Sequence, residues 1–258
     1  LFIPHGGGPL PLLGEPGHKN MINFLTSLAA TLPRPDAIIV ISAHWEESQP
    51  TITSAASPAL IYDYYGFPEE SYQIQYPAPG EPELAKKMAT LLSEHGFQPK
   101  LDAERGFDHG MFVPLKLMFP EANIPCVQLS LLNTMDAQQH IKLGEALSTL
   151  REENIMVLGS GFSFHNLRAM MSGQLDSEKN QAFENWLINT CTDEAAAESE
   201  RVSKLAQWEQ APAARYCHPR EEHLLPLQVC YGMAQSPAEL IFNDNIFGVL
   251  SSGFLWRA

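Results

Sequence analysis

Basic residues are scarce in this sequence: 16 Lys and Arg stand against 30 Asp and Glu, a formal net charge of −14 over 258 residues. With no basic patch to neutralise phosphates, neither nucleic acid nor an anionic membrane surface is an expected partner. Cysteine is sparse too. Cys126, Cys191, Cys217 and Cys230 form no C-x-x-C pair, so a zinc ribbon or dithiol redox motif has no support, and a reducing, cytoplasmic setting is expected. No apolar run approaches transmembrane length. There is no H-E-x-x-H metalloprotease helix. The nearest approach to a nucleophile elbow, Gly161-Phe162-Ser163-Phe164-His165, has His where the motif needs its last Gly, which argues against an esterase. The opening stretch shows neither a basic segment nor a signal-like apolar one. It starts at Leu1 without Met, so residues upstream are expected.

What is present is ordinary globular composition, 45% hydrophobic, with a chain long enough for a sizeable core and most economically one domain over residues 1–258. The stretch Ala37 to Trp45 (AIIVISAHW) is a continuous β-branched run, the pattern of a strand buried on both faces. It stops at Ser42-Ala43-His44. In open α/β sheets ligands bind beyond the carboxyl ends of such strands, where His44 sits. Ile124 to Ser130 and Ile155 to Ser160 read as two further buried strands, the second delivering His165 a few residues past its end. Leu240 to Phe242 and Phe247 to Trp256 read as closing strands, and Thr51 to Ser54 as a short one. Helices are predicted over Asn20 to Thr31, Glu81 to His95, Met111 to Phe119, Asp136 to Glu153 and Leu224 to Met233, with largely surface helices over Asp176 to Ala206. Strand–helix alternation of this kind predicts an α/β fold: one domain whose central mixed, largely parallel sheet is flanked by helices.

Nine histidines are a large share for so few basic residues. His5 precedes Gly6-Gly7-Gly8-Pro9, which reads as a metal-binding loop, an oxyanion loop or a plain Gly-Pro turn. His109 lies in Gly106-Phe107-Asp108-His109-Gly110, with Asp108 placed to cap the following helix. His218 and His223 flank Pro219-Arg220-Glu221-Glu222. His95 suits a helix C-terminus for dipole reasons, and His140 reads as a surface residue. Pro58 to Gly80 is rich in Tyr, Pro and Gly, a packed loop or a pocket wall.

Taken together and in this order, His5-Gly6-Gly7-Gly8-Pro9, Ser42-Ala43-His44-Trp45, Gly66-Phe67-Pro68, Tyr76-Pro77-Ala78-Pro79-Gly80, Gly106 to Gly110, Phe164-His165-Asn166-Leu167 and His218 to His223 resemble the class III extradiol ring-cleavage dioxygenases. The resemblance covers essentially the whole chain and is to the DOPA-dioxygenase-like branch, related to the protocatechuate 4,5-dioxygenase catalytic subunit. It implies a metal held by His5, His44 and His223, the last where the protocatechuate enzymes carry Glu. It implies His165 as acid/base or fourth ligand, and His109 as a second pocket histidine. Glu222 is expected to point elsewhere, and Tyr64, Tyr65 and Phe67 to wall the pocket. The implied reactants are a catechol and O2, the implied metal Fe²⁺ for activity, with Zn²⁺ a ready occupant of an all-histidine site. The competing expectation is a zinc-dependent hydrolase or a redox-silent binding protein on the same scaffold.

Overall fold

The computed structural model describes residues 1–257. In chain order it runs β1 (Phe2–Pro4), α1 (Lys19–Leu28), β2 (Ala37–Glu47), β3 (Thr51–Thr53), α2 (Pro82–Glu94), β4 (Lys100–Asp102), α3 (His109–Met118), β5 (Cys126–Leu132), α4 (Ala137–Ala146), β6 (Ile155–Gly161), α5 (Leu167–Ser172), α6 (Ser177–Thr192), α7 (Glu198–Ala206), α8 (Ala214–Cys217), α9 (Leu225–Ala234), β7 (Glu239–Ile246) and β8 (Val249–Leu255). Among the described residues the strands form one sheet in the order β4-β3-β5-β2-β6-β1-β8-β7. Its centre is parallel: β2 pairs with β5 and β6, and β6 with β1. The edge strands mix in antiparallel pairs, β3 with β5, β1 with β8 and β7 with β8.

The central strand takes its place for a simple reason. Ala37 to Ala43 is buried at every position, and only a strand covered by helices on both faces suits an unbroken apolar run. β2 goes further than its apolar run, to Glu47, with a register shift against β5 between Ile41 and Glu46. His44 therefore stands on the strand itself, in the irregular stretch, and is not a residue beyond its end.

The helices follow local chemistry. Asp136 caps α4 by accepting the Gln139 N–H at 2.7 Å, an arrangement worth about 1 kcal/mol. The segment to Glu153 is not one helix. α4 ends at Ala146 and a 3-10 turn covers Ser148–Glu152. α9 is buried from Leu225 to Met233, as befits a helix apolar all round. α6 is less superficial than its polar sequence suggests, since Phe183, Glu184, Leu187 and Cys191 are fully buried.

Asp108 occupies the N-cap of α3 without making a cap bond. Its oxygens instead accept Ser42 Oγ–H at 2.7 Å, Gln128 Nε2–H at 2.7 Å and an Arg105 N–H at 3.2 Å. It therefore ties α3 to β2 and β5 rather than closing a helix end. Three neighbouring parallel strands, β2, β6 and β1, thus end at the same edge of the sheet.

Candidate active site

That edge gathers five of the nine histidines. His5 directly follows β1, His44 lies on β2, and His165 comes four residues after β6; His109 opens α3 and His223 precedes α9. Backbone bonds strap the two loops to β6. Phe162 N–H donates to His223 O at 2.9 Å, His165 N–H to Cys217 O at 2.9 Å, and His5 N–H to Gly161 O at 3.2 Å. Gly6 makes the turn away from β1 at φ +83°, where a Cβ would lie 2.7 Å from Pro11 and 2.8 Å from His18. Only glycine takes that conformation in that space. Gly110 is equally constrained, since a Cβ there would meet Ser42 Oγ at 2.3 Å and His44 Cδ2 at 3.1 Å.

The rings form one continuous group. The His44 ring centre lies 4.9 Å from His5, 3.9 Å from His109 and 4.9 Å from His223, and His5 lies 5.3 Å from His223. His165 stacks on His223 at 3.3 Å with planes 19° apart. Nitrogens of His5, His44 and His109 lie within 4.8 Å of one another, as do the donor atoms of His165, Glu222 and His223. His223 belongs to both neighbourhoods, through its ring distances to His5 and His44 and through its bond to Glu222.

Polar partners of Nδ1 fix which nitrogen is free in four of the five rings, those of His5, His109, His165 and His223. Ser160 Oγ–H donates to Gly110 O, so its one proton is spent. It can only accept from His5 Nδ1, 3.0 Å away, which leaves His5 Nε2 with its lone pair. His109 Nδ1 donates to Asp63 Oδ1 at 2.8 Å, and the same oxygen takes the His109 backbone N–H at 2.9 Å. His223 Nδ1 donates to Glu222 Oε1 at 2.9 Å, and His165 Nδ1 faces the same oxygen at 3.0 Å from across the stack. Carboxylates only accept, so these three rings also present a bare Nε2. The Nε2 atoms of His5 and His44 face each other at 3.0 Å.

Burial pushes His5 and His44 well below the ordinary histidine range and His223 down to about 3, and neighbouring imidazoles add to the effect. Neutral rings with Nδ1 tied to oxygen and Nε2 offered are the donor set of a divalent transition metal. The 3.0 Å between His5 and His44 Nε2 also suits two nitrogens each about 2.1 Å from one ion. The residues present therefore fit a metal.

Glu222 points into the site, not away from it. A carboxylate on the same short turn as His223 reaches the Nδ1 of that ring and, across the stack, the Nδ1 of His165. Burial alone would raise Glu222, but the hydrogen bonds from His165 and His223 outweigh it and hold the carboxyl well below its usual range. Arg220 braces the arrangement, donating to Glu46 at 2.5 and 2.6 Å and to Glu222 at 3.3 Å. A cavity of about 470 Å³ opens here between His44, Glu46, His165, Arg220 and His223. A second cavity, about 370 Å³, lies at the opposite end of the sheet, where β6 begins, and none of the five histidines lines it.

The aromatic loop reaches the site in part. The Tyr64 ring packs edge-on 5.7 Å from His109 and its hydroxyl donates to Ser71 O. Phe67 lies against Gly8 and, 5.5 Å away, against Tyr64. Tyr65 is 92% exposed and walls nothing, contrary to the sequence expectation. His140 is buried, not superficial: Nδ1 donates to Asp136 O and Nε2 accepts the Leu132 N–H. Sequence reading passed over Asp63, Ser160 and His18. Asp63 and Ser160 have partners distant in sequence, so no local spacing marks them. His18, three residues from its partner Glu15, accepts the Gly7 N–H at 2.9 Å and pins the glycine loop.

Comparison with known proteins agrees across the chain. Residues 2–251 match the family described as the catalytic LigB subunit of aromatic ring-opening dioxygenase. The chain is 42% identical to "Dioxygenase tasH" of Hapsidospora irregularis, covering 99% of this chain and 84% of that protein. It is 40% identical to a 4,5-DOPA dioxygenase extradiol of Beta vulgaris, covering 98% and 94%. A crystal structure of an uncharacterized Escherichia coli K12 protein superposes with TM-score 0.74 at 30% identity, over 90% of each chain.

Proposed function

Since the chain belongs to the family of catalytic LigB subunits of aromatic ring-opening dioxygenases, we propose that it opens a DOPA-like catechol outside the diol, using Fe²⁺ and O2. That it is a metal-dependent extradiol dioxygenase follows from the family and from relatives named as dioxygenases. The catechol, the metal and the residue roles are the reading proposed here. The observation that supports it is the convergence of imidazole Nε2 atoms on one edge of the sheet, those of His5, His109, His165 and His223 with Nδ1 facing an oxygen and that of His44 3.0 Å from the Nε2 of His5.

In this reading His5, His44 and His223 hold the metal through Nε2. When bound, Fe²⁺ supplies the one-electron chemistry that lets O2 react with an electron-rich ring. The protein positions and protonates. His165 keeps a proton on Nδ1 for Glu222 and has Nε2 free to take one catechol proton, the task of a general base. His109, oriented by Asp63, offers Nε2 as a hydrogen-bond acceptor for substrate, with Tyr64 packed against its edge. The proton taken by His165 is returned as the O–O bond breaks. Both oxygen atoms end in the muconic-semialdehyde-type product, so electrons balance without a further reductant. Zn²⁺ would occupy the same nitrogens without turnover, because it has no redox chemistry.

The test is oxygen uptake by anaerobically Fe²⁺-loaded protein over a panel of catechols that includes DOPA, with Zn²⁺-loaded protein as control. Uptake and a new visible chromophore with Fe²⁺ only are expected. Stoichiometric iron with no uptake on any catechol would overturn the proposal.

A further inference from the structure

One carboxylate oxygen serves two rings that the proposed reaction uses differently. Glu222 Oε1 lies 3.0 Å from His165 Nδ1 and 2.9 Å from His223 Nδ1. The rings themselves stack at 3.3 Å, nearly parallel. Only an acceptor set between the two Nδ1 atoms can satisfy both, and the Glu222 carboxylate, 12% exposed, is in that place. Its other oxygen, Oε2, faces Arg220 at 3.3 Å, and Arg220 is clamped in turn by both oxygens of Glu46 on β2. The carboxylate is therefore held from behind by a guanidinium that is itself anchored to the central strand.

We propose that Glu222 is the positioning residue that couples the metal-holding and proton-moving halves of the site, fixing His165 and His223 in the same tautomer through a single oxygen. The proposal rests on the reading that His223 holds metal and His165 carries the proton. Two consequences distinguish it from mere packing. Losing Glu222 must weaken metal binding, because His223 then no longer has Nδ1 saturated and Nε2 bare. It must also slow turnover without a matching loss of substrate affinity, because His165 loses the same restraint. An ordinary structural carboxylate would change stability alone.

The experiment uses the full chain and two variants, Glu222→Ala and the volume-conserving Glu222→Gln, whose folding is checked by thermal unfolding. Zn²⁺ affinity is measured by competition with a chromophoric chelator. Long-range ¹H–¹⁵N spectra of the Zn²⁺-loaded protein report the Nδ1–H signals of His165 and His223. Fe²⁺-dependent oxygen uptake gives kcat and KM. In Glu222→Ala, Zn²⁺ affinity is expected to fall about 10–100-fold, the range for an outer-shell partner of a ligating histidine. Both Nδ1–H signals should disappear together, and kcat should fall while KM holds. Should Glu222→Ala fail to fold, Glu222→Gln must show the same pattern in milder form, since an amide oxygen is a weaker acceptor. Zn²⁺ affinity within about twofold of the parent, a change far below that range, with both Nδ1–H signals retained, overturns the proposal. If the parent consumes oxygen with no catechol, the functional reading fails, while Zn²⁺ affinity and the Nδ1–H signals still decide the role of Glu222.

Discussion

At the scale of single residues, the nine histidines divide by what their second nitrogen meets. His44 has its Nε2 3.0 Å from that of His5, so His44→Ala is expected to abolish stoichiometric metal binding, measured by elemental analysis after loading and desalting. His165→Ala should keep the metal and lose turnover, read as oxygen uptake; full activity in that variant would remove His165 from the proton-transfer role. His140 belongs to the other kind. Burial pushes it down to about 4, and both nitrogens are used on backbone groups. A base whose folded pKa lies below its unfolded value near 6.5 favours the folded state when neutral. Its contribution is therefore complete above about pH 6.5 and is lost as pH falls toward 4, amounting to about 3 kcal/mol at most. Urea unfolding from pH 7 to pH 4 should show this loss, and His140→Gln should flatten the slope. An unchanged slope would mean the ring is not neutral in the folded protein.

At the scale of elements, α3 shows how a helix defect becomes a functional contact. Pro114 lies inside α3 and has no N–H to give the carbonyl four residues back, that of Gly110. Gly110 O instead accepts from Ser160 on β6, and Ser160 in turn accepts from His5 Nδ1. Thus a proline in one helix frees the acceptor that sets the tautomer of a histidine 109 positions earlier. Pro114→Ala restores a competing N–H, releasing the Ser160 proton toward His5 Nδ1. The expected result is a better-formed helix and weaker Zn²⁺ binding, about tenfold at the lower end of outer-shell effects; unchanged affinity would show that Ser160 does not control His5. None of this was legible in the sequence. The buried run at Ile38–Ile41, the Asp136 cap of α4 and the histidines beside strand ends were, because each is written in adjacent residues, whereas Asp108 spends its oxygens across the fold and closes no helix end. Asp63, Ser160 and the inward turn of Glu222 were not, because acceptors recruited across the fold carry no local pattern. The motif order supplied the candidate site residues that periodicity alone left undecided, such as His109 and His223.

At the scale of the whole molecule, the order of strands makes the two ends of the chain interdependent. β1, at the start, pairs with β6 on one side and with β8, near the end, on the other. His5 follows β1 and His223 precedes α9, which packs on β6. A site drawn from residues 5 to 223 therefore exists only when the whole sheet is assembled. We propose from this that residues 1–258 unfold as one cooperative unit, and that metal binding is linked to that unfolding. A ligand present at about 100 times its dissociation constant adds about 2.7 kcal/mol to a folded state that alone can bind it. For a domain of this size that corresponds to a rise in Tm of about 5–10 °C. Calorimetry should show one transition in the chelator-treated protein and one, shifted up by that amount, with Zn²⁺. Two separated transitions would divide the chain into independent units. A single transition that did not move with metal would place the binding groups outside the cooperative fold, against the arrangement of His5, His44 and His223 at one sheet edge.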